Sequence, residues 1–206
     1  MTTLGVTGGI GSGKSAVTAR LAAKPGVRVA YADDVAKRLM QEDPALRAAL
    51  AERFGPETYD PEGRLDRAYL AGRVFADARE LADLNALVHP AVRRAMLDEI
   101  ERAREDGVAL FVYEAALIFE TGADRHLDAV AVVDAPLEVR LARVAARDGV
   151  SREQVLERMR HQLPPETLRR LADFVIENDG DLAHLHAQVD ALYERLMEAD
   201  ADVGSP

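Results

Sequence analysis

Short apolar runs and helical stripes alternate along this chain. Thr3–Thr7 is a short apolar run that ends in glycines, which predicts a buried strand feeding a loop. Lys14–Ala23 contains Ala and Leu without a breaker and predicts a helix, closed by Pro25-Gly26. Val27–Tyr31 reads as a second strand. The order strand, loop, helix, strand predicts a parallel sheet with a right-handed crossover.

From Asp34 to Asp106 the period changes. Apolar residues recur at helical spacing in Leu46-Ala49-Leu50, in Leu81-Leu84-Leu87-Val88 and in Val92-Met96-Ile100, with turn residues at Gly55-Pro56 and Asp60-Pro61-Glu62-Gly63 between them. This predicts a mostly helical insertion after the second strand. Ala109–Tyr113 and Ala129–Val133 read as further strands, and Phe174–Ile176 as a weaker fifth. Glu138–Arg147 and Ser151–Gln162 read as helices joined by Asp148-Gly149, and Ser151 with Gln154 has the spacing of a capping box. A last helix is expected from Leu182 to Met197, followed by a tail, 199–206, expected to fray.

Composition narrows the function classes. The chain has 206 residues, enough for one substantial core with an insertion. With 48% hydrophobic and 30% charged residues it has the profile of a soluble globular protein. A net charge of −10 argues against nucleic acid as a partner. The chain has no cysteine, which excludes disulfides, thiolate metal sites and thiol catalysis. Its start lacks the pattern of a secretory signal, and no stretch approaches the roughly 20 apolar residues of a membrane span, so a cytoplasmic location and no membrane partner are expected. The oligomeric state stays open, with a monomer as the default. Charge is uneven: residues 138–170 hold eight arginines against five acidic residues, a candidate anion site or a solvated helix face of mixed charge.

The strongest chemical signal is Gly8-Gly9-Ile10-Gly11-Ser12-Gly13-Lys14-Ser15, which fits G-x-x-x-x-G-K-[ST] between a strand and a helix. Such glycines let successive N–H groups wrap phosphate oxygens, and the following helix offers its positive end. Lys14 supplies a charge for the β- and γ-phosphates, Ser15 a hydroxyl for Mg²⁺, and Ala16 continues the cradle. Only three lysines occur, at 14, 24 and 37, so one in this slot is unlike an accident. The motif implies ATP and Mg²⁺ without naming the reaction. It also implies an α/β P-loop NTPase fold in three layers with a five-stranded parallel sheet. The nucleotide-binding core is expected at 1–31 and 108–206, a helical insertion at 32–107, and a helical lid at 138–166.

Other candidates carry two readings each. Asp33, directly after the second strand, is a base for an attacking hydroxyl or a helix N-cap. Arg140, Arg143 and Arg147 share a helix face, as do Arg158 and Gln162 on the next helix. They are either a lid over ATP or surface partners of Glu138, Asp148, Glu153 and Glu157. Glu114 is a metal-associated carboxylate or a strand-end residue, and His89 before Pro90 is a functional or a structural histidine.

Several elements in the same order resemble the dephospho-CoA kinase family: TGGIGSGKS at the start, Tyr31-Ala32-Asp33, LNALVHP (84–90), Leu117-Ile118-Phe119-Glu120, and Arg158 with Gln162 followed by Ala172–Gly180. The resemblance implies ATP-dependent phosphorylation of the 3′-hydroxyl of dephospho-CoA, giving CoA and ADP. It implies that the insertion binds CoA, that Asp33 is the base, and that Lys14 and Arg140 are catalytic. It further implies that Arg143 and Arg147 contact the nucleotide, and that His89, Leu117 and Glu120 join Asp33 at the acceptor. Three positions depart from the family pattern. Tyr31 stands where the family has its first Asp, Ala116 where it has a proline, and Leu168 near where many members have a lysine, with Arg169 or Arg170 as the replacement. A kinase for a smaller acceptor and a partner-dependent regulatory NTPase are the competing readings, to be separated by acceptor-dependent ADP release.

Overall fold

A computed structural model describes residues 1–74, 77–160 and 162–203. The chain forms two compact units, one of residues 1–30 with 99–206 and one of residues 31–98.

The first unit is built on five strands: β1 (Thr2–Thr7), β2 (Val27–Tyr31), β3 (Leu110–Glu114), β4 (Ala129–Asp134) and β5 (Phe174–Glu177). They form one parallel sheet in the order β2-β3-β1-β4-β5. Thr2 pairs with Leu110 and Leu4 with Ala129, which aligns the C-terminal ends of β1, β3 and β4. The order explains why β1 and β3 read as nearly continuous apolar runs, since both strands have neighbours on either side and cover on both faces. Leu4 and Val6 point to one face, where they pack with Val17 and Leu21 of α1 (Lys14–Ala22) and with Leu185, Val189, Leu192 and Leu196 of α10 (Leu182–Val203). Gly5 points to the other face, where an added Cβ would meet Leu127 at 2.8 Å and Ile118 at 2.9 Å. A fully buried leucine or isoleucine in such a core contributes about 1.5–3 kcal/mol of transfer free energy.

Three shorter helices follow β4. They are α7 (Leu137–Asp148), α8 (Arg152–Met159) and α9 (Pro165–Leu171). The Ser151 capping box forms as the spacing predicts: the Ser151 hydroxyl accepts from Gln154 N, and the Gln154 side chain accepts from Ser151 N. The helix expected to reach Gln162 ends at Met159, and α9 was not foreseen in the sequence. Leu141, Val144 and Val155 make a small core between α7 and α8, and Ile10 of the glycine-rich loop packs against it. The last helix runs on to Val203 instead of stopping at Met197, and residues 204–206 of the tail expected to fray lie outside the described residues.

The second unit is helical: α2 (Ala32–Glu42), α3 (Pro44–Phe54), α4 (Arg67–Val74) and most of α5 (Ala78–Glu105). Asp43 caps α3 by accepting from Leu46 N at 2.8 Å, with Pro44 in the first turn where its missing N–H costs nothing. Leu46, Leu50 and Phe54 of α3, Leu70 and Val74 of α4, and Val88, Ala91 and Val92 of α5 form the core, with Val35 and Leu39 of α2 against it. α5 runs unbroken past Pro90, and its residues 99–105 belong to the first unit. Arg73 ties α4 to α5 through Glu80 and also donates to the Phe54 carbonyl at 2.6 Å. Among the described residues no helix is long and apolar enough to cross a membrane.

Candidate active site

The glycine-rich loop leaves β1 at its C-terminal end and enters α1. Its conformation requires glycine at Gly13, where φ is 100° and an added Cβ would lie 2.1 Å from Asn178 Nδ2. Asn178 follows β5 and is buried. Its amide donates to the Ser12 carbonyl at 2.7 Å, and its own N–H donates to the Asp134 carbonyl at 2.7 Å. Arg143 of α7 closes the same corner with weak contacts to the Ser12 carbonyl at 3.4 Å and to Asn178 Oδ1 at 3.3 Å. The turn is therefore fixed from the ends of β4 and β5 and from α7.

Arg140 lies one turn earlier on α7. A Cβ built on Gly9 would fall 2.0 Å from its Nη1, so the guanidinium rests directly on the Gly9 backbone. Arg140 is only 7% exposed, forms no ion pair among the described residues, and its Nε has no hydrogen-bond partner. A buried, uncompensated cation is costly unless an anion meets it. Two more buried polar atoms lack partners: Thr7 Oγ1, on the last residue of β1, and Ser12 Oγ, in the loop. Unsatisfied polar groups concentrate here, as expected where a ligand supplies the missing partners. Lys14 Nζ, at the start of α1, donates to the Gly8 carbonyl at 2.9 Å.

A carboxylate faces the other side of α1. Glu114 ends β3; its Oε2 accepts from Thr18 Oγ1 at 2.6 Å, and its Oε1 lies 3.5 Å from the exposed Ser15 hydroxyl. Ser15 and Glu114 are hard oxygen donors of the kind Mg²⁺ takes when phosphates supply the rest. Among the described residues no group of three or more His, Cys, Asp or Glu could hold a metal by itself.

The remaining candidates are distributed. Arg147 is exposed and bonds Asp148 at 2.7 Å, and Arg158 bonds the same carboxylate at 2.7 Å. These hydrogen bonds, Arg147 first, hold the Asp148 carboxyl below its ordinary value. Arg152 grips Glu138 through two bonds. Of the arginine face read from the sequence, Arg140 and Arg143 turn to the loop, whereas Arg147 takes the salt-bridging alternative. Leu117 and Glu120 belong to the segment after β3: Leu117 precedes the short helix α6 (Ile118–Thr121), and Glu120 Oε1 accepts from Leu163 N at 2.9 Å. Leu168, near the family's lysine position, is buried in α9; its neighbour Arg169 is bound to Glu177 at 2.7 Å and to Asp134 at 2.8 Å, which pushes its pKa up.

Asp33 and His89 lie in the second unit. The N-cap of α2 is Tyr31, with no side-chain cap bond, so Asp33 is not the cap; it is exposed in the first turn, while Asp34 pairs with Lys37 at 2.8 Å. His89 is half-buried in α5, and burial first, then the charge of Arg93, push its pKa below the ordinary value.

Sequence reasoning assigned no role to Thr18 or Asn178, and it placed Gln162 only on the helix face read as a lid over ATP or a solvated surface. Thr18 sits three residues after Ser15 on the same helix face, a usable signal. Asn178 and Gln162 lay within recognised elements, but their partners are 166 and 152 residues away in the chain.

Comparison with known proteins identifies the family. The dephospho-CoA kinase family matches residues 2–184. The dephospho-CoA kinase of Salinibacter ruber is 53% identical over 193 residues, covering 94% of this chain and 96% of that protein. TT1252 from Thermus thermophilus superposes with a TM-score of 0.76 at 40% identity, covering 95% of this chain and 97% of that one. The dephospho-CoA kinase from Campylobacter jejuni superposes with a TM-score of 0.72 at 26% identity, covering 96% of this chain and 98% of that one. With a loop built to receive phosphates and relatives alike along nearly its whole length, this chain belongs to the dephospho-CoA kinase family.

Proposed function

We propose that the chain transfers the terminal phosphoryl group of ATP to the 3′-hydroxyl of dephospho-CoA, releasing CoA and ADP, with the loop from Gly8 to Ala16 as the phosphate site. The observation that carries this is the buried Arg140 guanidinium on Gly9, without an ion pair among the described residues and with its Nε unpartnered. Phosphate oxygens would compensate that charge. In this reading Lys14 and Arg140 offset charge on the transferring group, where such preorganised donors have their largest effect. Arg143 supports the nucleotide, and Arg147 would join it by exchanging its exposed Asp148 partner for a phosphate. Ser15 and Glu114 would hold Mg²⁺, which when bound spreads the charge of the β- and γ-phosphates.

Asp33 is the base in this proposal. The ribose 3′-oxygen forms a bond to the γ-phosphorus, the bond from that phosphorus to the β-bridging oxygen breaks, and the hydroxyl proton passes to the Asp33 carboxylate. An exposed carboxylate that does not cap its helix is available for that task. The helical unit containing His89 receives the acceptor, and Leu117 and Glu120 contribute to acceptor binding. The test is ADP release from MgATP with a panel of acceptors. Release that depends on dephospho-CoA, and is weak with nucleosides and other nucleotides, supports the reading. Release that is independent of any acceptor or requires a protein partner overturns it.

A further inference from the structure

Ile10 is the one loop residue of the phosphate motif with a bulky apolar side chain, and it is held at both ends. Its side chain packs against the core of α7 and α8, formed by Leu141, Val144 and Val155. Its N–H donates to Gln162 Oε1 at 2.8 Å. The other end of the same amide, Gln162 Nε2, donates to the Ala116 carbonyl at 3.2 Å. Next in the chain, Leu163 N donates to Glu120 Oε1 at 2.9 Å. One side chain thus ties together the phosphate loop, the segment after β3, and the stretch that leads from α8 into α9.

We propose that Gln162 is a positioning residue: it orients the Ile10 peptide of the phosphate loop and links that loop to the α7–α8 hairpin. The physical case rests on the two-ended amide. A peptide between Gly9 and Gly11 has little steric constraint of its own, because glycine on either side permits many backbone angles. Within the loop Ser12 N donates to the Gly9 carbonyl at 3.0 Å, whereas Ile10 N donates out of the loop, to Gln162. Gln162 supplies the acceptor, and Ala116 fixes the orientation of Gln162 by accepting from its amide nitrogen. Ala116 is where the family pattern has a proline, and its carbonyl does this work with either residue, since proline keeps the carbonyl. The proposal rests on the reading that this loop holds the phosphates of ATP.

The test is Gln162→Met, which keeps the length of the side chain and removes both hydrogen-bonding ends. Hydrogen exchange at the Ile10 amide, measured without nucleotide, should speed up by tenfold or more, with an unchanged melting temperature. KM for ATP should rise about 2- to 12-fold, one hydrogen bond's net contribution, while KM for dephospho-CoA stays within twofold of wild type. If the Met variant melts early, Gln162→Asn, which retains the amide but is too short to span both partners, gives the same readouts. Unchanged Ile10 exchange overturns the proposal, as does faster exchange with unaltered KM for ATP. Equal rises in both KM values also overturn it and make Gln162 merely structural. The exchange measurement involves no nucleotide. Failure of the ATP-site reading would appear separately, as normal ATP use by Lys14→Ala.

Discussion

The contact between Gly9 and Arg140 allows the role of a buried arginine to be tested without touching the arginine. In Gly9→Ala the new Cβ would lie 2.0 Å from Nη1 and 3.2 Å from Cζ of Arg140. Real Cβ atoms do not approach closer than 3.0 Å, so the guanidinium must retreat by at least about 1 Å. The group that moves is the end of a long side chain, and Gly9 does not have the positive φ that would strain an alanine. The fold should therefore tolerate the change, with Ala for Gly worth roughly 0.4–1 kcal/mol in favour of the folded state through the unfolded chain. A charge displaced by about 1 Å from a transferring phosphoryl group costs on the order of 10²-fold in rate, or about 2.7 kcal/mol. Arg140→Met removes the charge outright and should cost about 10²- to 10³-fold in kcat. In the double variant the alanine has nothing left to displace, so its effect should vanish. A double-mutant cycle on kcat for dephospho-CoA-dependent ADP release, with a melting curve for each protein, then yields a coupling near the full cost of Gly9→Ala. If the two single effects simply multiply in the double variant, Arg140 is not the route by which residue 9 matters, and the assignment of Arg140 to the reacting phosphate is wrong.

Lys14→Ala should abolish nearly all turnover while the melting temperature holds; near-normal kcat in the folded variant would remove the loop from the ATP site. Asp33→Asn should lower kcat about 10²- to 10⁴-fold with ATP affinity little changed, and since Tyr31 rather than Asp33 caps α2, a fall in melting temperature instead of kcat would contradict the base assignment. His89, whose folded pKa lies below the ordinary value of about 6.5, binds fewer protons in the folded state than in the unfolded chain. Its stabilising effect is therefore complete above about pH 6.5 and is lost as pH falls through the lower folded value. Melting curves between pH 7.5 and 5 should show less acid destabilisation in His89→Ala than in wild type, and identical slopes would count against a buried neutral imidazole.

The layout of strands and the phosphate loop was legible because each depends on local pattern: an apolar run of five or six residues, a glycine series, a capping pair at Ser151 and Gln154. The helical character of residues 31–98 was legible for the same reason, in the spacing of Leu46, Leu50, Val88 and Val92. What periodicity cannot show is the partner of a residue across the chain. Arg140, Arg143 and Arg147 share one helix face in the sequence, yet the first two meet the loop and the third meets Asp148, because the helix ends at Gly149 and the face runs past the loop. Likewise α9 was invisible: Pro164-Pro165 reads as a breaker, but Pro165 occupies the first turn of a seven-residue helix whose inward side is Leu168. The cap reading of Asp33 could be set aside only by locating the N-cap position at Tyr31.

Helix α1 is fastened along its length before any nucleotide arrives. Asn178 and Arg143 close on the Ser12 carbonyl ahead of its first turn, Thr18 is bonded to Glu114 in its middle, and Arg20 and Lys24 at its far end share the Asp190 carboxylate of α10. Those two cations, Arg20 first, depress the Asp190 pKa strongly. The entropy of ordering the phosphate-binding donors is thus spent when the chain folds and not when ATP binds. α10 in this way acts as ballast for a binding event it never touches. A lesion such as loss of Asp190, on the side of α1 away from the phosphates, would surface first as a looser grip on nucleotide and only later as a fold that fails.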